Sequence, residues 1–149
     1  MGKTKKLPTI LMAEDDPDDR FLVQEALKKS EVTCDLRFVE DGEELMDYLY
    51  HQNKYADPES SPRPGFILLD LNMPKKNGRE ALREMKADAQ LRRIPVVILT
   101  TSKAEEDIFR TYNLGSSSYI TKPMPFEELV TSIKCLANYW LEIVQLPAY

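Results

Sequence analysis

The sequence predicts an α/β protein: a doubly wound, five-stranded parallel sheet folded as one domain. Apolar runs of strand length alternate along the chain with stretches of helical periodicity. The runs Ile67-Leu68-Leu69 and Val96-Val97-Ile98-Leu99 lack alternating polarity, as central strands do when helices cover both faces of a parallel sheet. The 149 residues suit one domain, 1–149, and no linker separates a second.

The first strand spans 9–13. Asp16-Pro17 then starts a helix, with Asp as N-cap and Pro at the first helical position, and Leu22, Val23, Ala26 and Leu27 form its apolar stripe. A second strand at 35–39 leads to a helix striped by Leu45, Met46, Leu49 and Tyr50. Residues 51–65, with Pro58, Pro62 and Pro64, read as an extended loop into the third strand at 66–69. Ala81, Leu82 and Met85 mark the third helix, and the fourth strand covers 96–99. A weaker stripe of Ile108, Tyr112 and Leu114 precedes the fifth strand at 118–120. The last helix is the longest, with Phe126, Leu129, Val130, Ile133, Ala137, Trp140, Leu141 and Val144 at helical spacing.

Composition removes several function classes. With 42% hydrophobic and 30% charged residues the chain is globular, and its longest apolar runs fall far short of the ~20 residues a membrane helix needs. The N-terminus has no secretory apolar stretch, and Lys6 stands where a myristoylation signal needs Ser or Thr. A cytoplasmic protein without membrane partners is expected. A net charge of -5 argues against a nucleic-acid partner, so Lys3, Lys5 and Lys6 read as part of a flexible basic tail over 1–7. Cys34 and Cys135 match no metal spacing, and His51, the single histidine, excludes a triad protease or a His-rich zinc site.

Ligands of open α/β sheets bind at the C-terminal ends of the strands. Glu14 and Asp15 close the first strand and Asp70 the third, which gathers three carboxylates on one rim. Such crowding is costly unless a cation joins them, and all-oxygen ligation suits a hard divalent ion such as Mg2+. Capping and the helix dipole account for Asp16, Asp18 and Asp19. Glu14 and Asp15 precede the cap and are harder to explain that way, while Asp70 by itself could equally well cap the segment after its strand. Thr100-Thr101-Ser102 ends the fourth strand and Thr121-Lys122-Pro123 the fifth. A hydroxyl and an ammonium there can hold phosphoryl oxygens. Taken singly, they also read as a helix-cap region and a surface lysine.

The motifs AEDDP, LLDLNMPKKNG, ILTTS and YITKPM, in this order and spacing, make the chain resemble the receiver domain of two-component response regulators over nearly its whole length. The resemblance implies a flavodoxin-like (βα)5 fold with strand order 2-1-3-4-5. It implies that Asp70 accepts a phosphoryl group from a sensor histidine kinase, with Thr100 and Lys122 assisting. Asp15 would bind Mg2+ directly, Glu14 through water, and Asn72 through its backbone carbonyl. Thr100 would move toward the phosphoryl oxygen, Tyr119 would report the state by its rotamer, and Lys122 would pair with Asp70. Lys122-Pro123 would be a cis peptide, and Gly78 would serve the turn after strand three. Such a protein is a signalling switch, not a turnover enzyme.

Two features depart from the simplest receivers: the Pro-rich loop, and the end NYWLEIVQLPAY, which reads as an extension of the last helix over 138–149. Both look most like stand-alone regulators associated with bacterial, especially cyanobacterial, phytochrome kinases. Tyr139, Ile143 and Leu146 widen the apolar stripe and favour a homodimer through this end. The alternative is that Trp140 and its neighbours fold back on their own domain. A flavodoxin-like cofactor binder is the competing function, but it needs a phosphate-cradling loop where this chain is acidic. An aspartyl phosphohydrolase would need an acid two residues after Asp70, where Asn72 stands.

Overall fold

The computed structural model describes residues 7–146. The expected basic tail falls almost wholly outside them, and so does the end of the expected C-terminal extension. The elements run β1 (Thr9–Ala13), α1 (Pro17–Lys29), β2 (Asp35–Val39), α2 (Gly42–Tyr50), β3 (Phe66–Leu69), α3 (Gly78–Ala87), β4 (Val96–Thr100), α4 (Glu105–Leu114), β5 (Ser118–Thr121) and α5 (Phe126–Asn138). The strands form one parallel sheet in the order β2-β1-β3-β4-β5, as expected. Among the described residues, no helix is long and apolar enough to cross a membrane.

Strand alternation divides the core in two. Leu11, Ala13, Ile67 and Leu69 face one side, where they meet Leu45, Leu49, Leu82 and Met85 of α2 and α3. Ile10, Met12, Phe66 and Leu68 face the other, against Val23, Leu27, Leu129 and Ile133 of α1 and α5. Helix starts follow local chemistry. The Asp16 carboxylate accepts from the Asp18 amide at 2.8 Å and that of Asp41 from Glu44 at 2.8 Å, while Asn77 and Glu80 make a reciprocal capping box.

Three helical faces differ from the expected stripes. In α2 the inward aromatic is Tyr48, 2% exposed, and Tyr50 is 38% exposed. The Tyr48 ring fills the core while its hydroxyl donates to the Pro62 carbonyl at 2.7 Å, so a polar tip reaches a partner at the core's edge. Together with the 2.9 Å contact from His51 Nε2 to the Ser61 carbonyl, this folds the Pro-rich loop back onto α2. On α1, Leu22 is exposed. On α4, Thr111 is the buried residue, and Phe109 and Tyr112 face solvent.

The C-terminal end also differs. The α-helix stops at Asn138, and a π-helical turn, Tyr139–Ile143, comes next before the chain becomes extended at Val144. The wider π turn, closed by i→i+5 hydrogen bonds, resets the helical face. Trp140 and Leu141 pack against the α1/α5 core, while Tyr139 and Ile143 stay exposed at 49% and 64%. Trp140 and Leu141 thus fold back on their own domain, as the alternative reading expected, and Tyr139 and Ile143 do not.

Glycines at two close approaches give a stability test. A Cβ on Gly42 would lie 2.2 Å from the Lys76 carbonyl oxygen, a backbone atom that cannot yield locally. On Gly65 it would meet a Leu141 methyl at 2.5 Å, which can rotate away. Gly42→Ala is expected to cost about 1–3 kcal/mol in urea denaturation, and Gly65→Ala clearly less. Equal losses would contradict this difference between a backbone and a side-chain obstacle.

Candidate functional site

The site lies at the C-terminal edge of the sheet, beside the crevice between β1 and β3 where the strand order reverses. Parallel pairing sets Ala13 beside Leu69 and Thr100 beside Thr121. The residues just past these strand ends therefore emerge together: Glu14 and Asp15 after β1, Asp70 after β3, and Lys122 after β5. The Asp70 amide donates to the Ala13 carbonyl at 3.1 Å and the Lys122 amide to that of Thr100 at 2.7 Å, so the alignment continues past the strands.

Carboxylate oxygens of Glu14, Asp15 and Asp70 lie within 4.8 Å of one another. Glu14 and Asp70 are buried and Asp15 is exposed. For the buried pair, an effective dielectric near 20 makes the mutual repulsion roughly 3 kcal/mol. Burial pushes the Glu14 carboxyl up to about 7. The hydrogen bond from Lys122 opposes that rise and the Asp70 charge adds to it. An all-oxygen cluster with one open, solvent-facing member has the donor chemistry of a hard divalent cation that keeps some of its waters.

Lys122 departs from expectation. Its Nζ donates to Glu14 Oε1 at 2.5 Å and to Asp19 Oδ2 at 2.7 Å, and no hydrogen bond joins it to Asp70. Burial works against the ammonium, but the bonds to Asp19 and Glu14 outweigh it and raise its pKa. Two flanking carboxylates offset the desolvation of this half-buried cation better than one. Asp19 is thus a site residue that sequence reasoning absorbed into helix initiation. Its position in the first turn of α1 serves both purposes.

Asn72 is exposed, and its amide donates to Asp70 Oδ1 at 3.3 Å. Gly78 admits the chain closely: a Cβ there would stand 2.1 Å from the Asp70 carbonyl oxygen. The Lys122-Pro123 peptide is cis. Thr100 is fully buried, and its Oγ1 accepts from the Ser102 amide at 3.5 Å. The Tyr119 hydroxyl donates to the Ser102 carbonyl at 3.0 Å.

A second cluster beside these residues left no sequence signal. Arg79 of α3 grips Asp107 of α4 through two hydrogen bonds of 2.7 Å, and also reaches the Leu71 carbonyl at 3.3 Å. The Ser102 hydroxyl donates to Asp107 Oδ2 at 2.6 Å. Arg79 holds the Asp107 carboxyl down at about 2, against burial and with help from Ser102. The two partners stand 28 positions apart, so no local motif marks the pair.

With the strand order, acidic pocket and basic counter-group in place, the chain is assigned on its match to a family. Residues 10–134 match the response regulator receiver domain, and the chain belongs to that family. It is 46% identical to response regulator Rcp1 of Synechocystis over 139 residues, 93% of this chain and 92% of that one. The phosphorylated cyanobacterial phytochrome response regulator RcpA superposes with a TM-score of 0.86 at 44% identity, covering 95% of this chain and 99% of that one. The Mn2+-bound form of Rcp1 superposes with a TM-score of 0.83 at 45% identity, covering 95% and 99%. Receiver domains bind a divalent metal at this acidic pocket. The flavodoxin-like cofactor reading finds no support.

Protein held in EDTA gives two tests of this charge balance. Glu14 keeps its proton to about pH 7 when folded, against 4.5 as its ordinary value. Between these values the folded state binds more protons, so this contribution to stability falls as pH rises through the window. The slope of melting temperature against pH from 4.5 to 7 should flatten in Glu14→Gln. At neutral pH, Asp70→Asn should raise the melting temperature by relieving the crowded charge. A clear decrease would make Asp70 a structural residue.

Proposed function

We propose that this chain is a phosphorylation-dependent switch in which Asp70 takes a phosphoryl group from the phosphohistidine of a sensor histidine kinase. A carboxylate oxygen of Asp70 attacks phosphorus, a P–O bond forms, the P–N bond to the donor breaks, and the imidazole leaves with the electron pair. The observation that carries this reading is a buried Asp70 whose carboxylate oxygen lies within 4.8 Å of those of Glu14 and Asp15, with the Lys122 ammonium bonded to Glu14 beside it. The receiver domain matches over residues 10–134.

Asp15, Glu14, Asp70 and the backbone at Asn72 would hold Mg2+, which when bound supplies positive charge against an anionic donor. Glu14 and Asp19 orient the Lys122 ammonium, whose charge faces the incoming phosphoryl oxygens. Thr100 offers a hydroxyl on the other flank. A phosphoryl group on Asp70 adds about -1.5 to -2 charges if it ionises as other phosphorylated side chains do. That charge biases Thr100 and Tyr119 and, through them, the surface of α4, β5 and α5. The protein assists its own phosphorylation and slow dephosphorylation and turns over no separate substrate.

The kinase class supported best is a bacterial phytochrome, because RcpA, a cyanobacterial phytochrome response regulator, matches this chain over nearly its full length. The work would be done in the cytoplasm, without nucleic-acid or membrane partners. Exposed Tyr139 and Ile143 on the π-helical turn favour a homodimer through the C-terminal end. Sedimentation at tens of micromolar, a concentration set by rough interface energetics, should show a dimer that Ile143→Glu dissociates. A wild-type monomer there removes the dimer reading.

Acetyl phosphate with Mg2+ should add one phosphoryl increment to the intact mass of the purified protein. The increment should vanish in Asp70→Asn and fall sharply with EDTA. Labelling that persists in Asp70→Asn would assign the nucleophile elsewhere.

A further inference from the structure

Helix α4 is held to the domain in an unusual way. Of its ten residues Thr111 is buried and Leu114 packs against the core, while Phe109 and Tyr112 are largely exposed, so its apolar contact is narrow. Charge-assisted hydrogen bonds converge on its first turn instead. Asp107 is gripped by Arg79 in fork geometry with two 2.7 Å contacts, and it accepts a 2.6 Å bond from the Ser102 hydroxyl. Both partners lead to the reacting region. Arg79 also donates to the carbonyl of Leu71, the residue after Asp70. Ser102 lies two residues beyond Thr100, donates its amide to the Thr100 hydroxyl oxygen, and receives the Tyr119 hydroxyl on its carbonyl.

We propose that Asp107 is a positioning residue for phosphoryl transfer: by clamping Ser102 and Arg79 together it holds the β4–α4 loop so that Thr100 and Tyr119 are set before the phosphoryl group arrives. The inference rests on the Asp70 reading. It adds that one carboxylate on α4 ties together the loop after β3, the loop after β4, and β5. Without the clamp the loop must be ordered during the reaction, and that ordering entropy is added to the barrier.

The test uses the full chain, with Asp107→Asn and, in case that variant folds poorly, Ser102→Ala, which leaves the Arg79–Asp107 pair intact. Phosphoryl uptake from acetyl phosphate should slow by roughly threefold to tenfold in both variants, while the Mg2+ concentration for half-maximal uptake stays unchanged. Before any phosphate is added, amide exchange in α4 should rise and the Tyr119 ring resonances should broaden or shift. Asp107→Glu should recover part of the rate. Three results overturn the proposal: wild-type uptake speed in folded Ser102→Ala or Asp107→Asn, faster uptake, or a Mg2+ requirement that weakens in step with the rate. If wild-type protein takes no label on Asp70, the Asp70 reading falls and this one with it. Normal labelling at unchanged speed in the variants sinks the clamp alone.

Discussion

The repulsion among Glu14, Asp15 and Asp70 is the constraint around which the rest of the molecule is arranged. Three carboxylates converge where parallel strands end, and two of them are buried. Such a cluster persists because neighbouring parts of the fold compensate it. Glu14 holds its proton far more strongly than a free carboxyl does, and Lys122 is drawn in from β5 to share the charge with Asp19. The pocket is consequently poised: a site that strains to hold negative charge gains when a cation enters.

Two kinds of cement hold the structure. The sheet and helices α1, α2, α3 and α5 are fixed by apolar burial on two faces, which is strong, non-directional and indifferent to charge. Helix α4 relies on directional contacts through Asp107. A helix held by a few polar contacts can change position when local charge changes, whereas one held by a packed face cannot do so cheaply. The division separates a rigid scaffold from an element suited to signalling.

Legibility in the sequence depended on range. Strands and the start of α1 depend on residues within a few positions of one another, so their boundaries matched the expected ones closely; β4 and β5 each ran one residue further. Helical faces were less secure. Tyr48 and Tyr50 are both aromatic and differ by about 200° around the helix, and the Pro62 carbonyl that selects Tyr48 is 14 residues away. The last helix read as continuous because its apolar spacing continues, yet the chain switches to π geometry where Leu141 meets Gly65.

By itself the sequence determined the fold class, the strand order through family resemblance, and the rim on which Glu14, Asp15, Asp70, Thr100 and Lys122 would meet. Period, caps and strand-end chemistry are local properties, and a parallel sheet converts them directly into a shared edge. Only the tertiary structure decided that Lys122 pairs with Glu14 and Asp19, that Arg79 holds Asp107, and that Trp140 turns inward while Ile143 does not. The physical reason is that a charge or an aromatic ring takes the best partner within a few ångströms. Which groups come that close is set by the packing of elements distant in the chain.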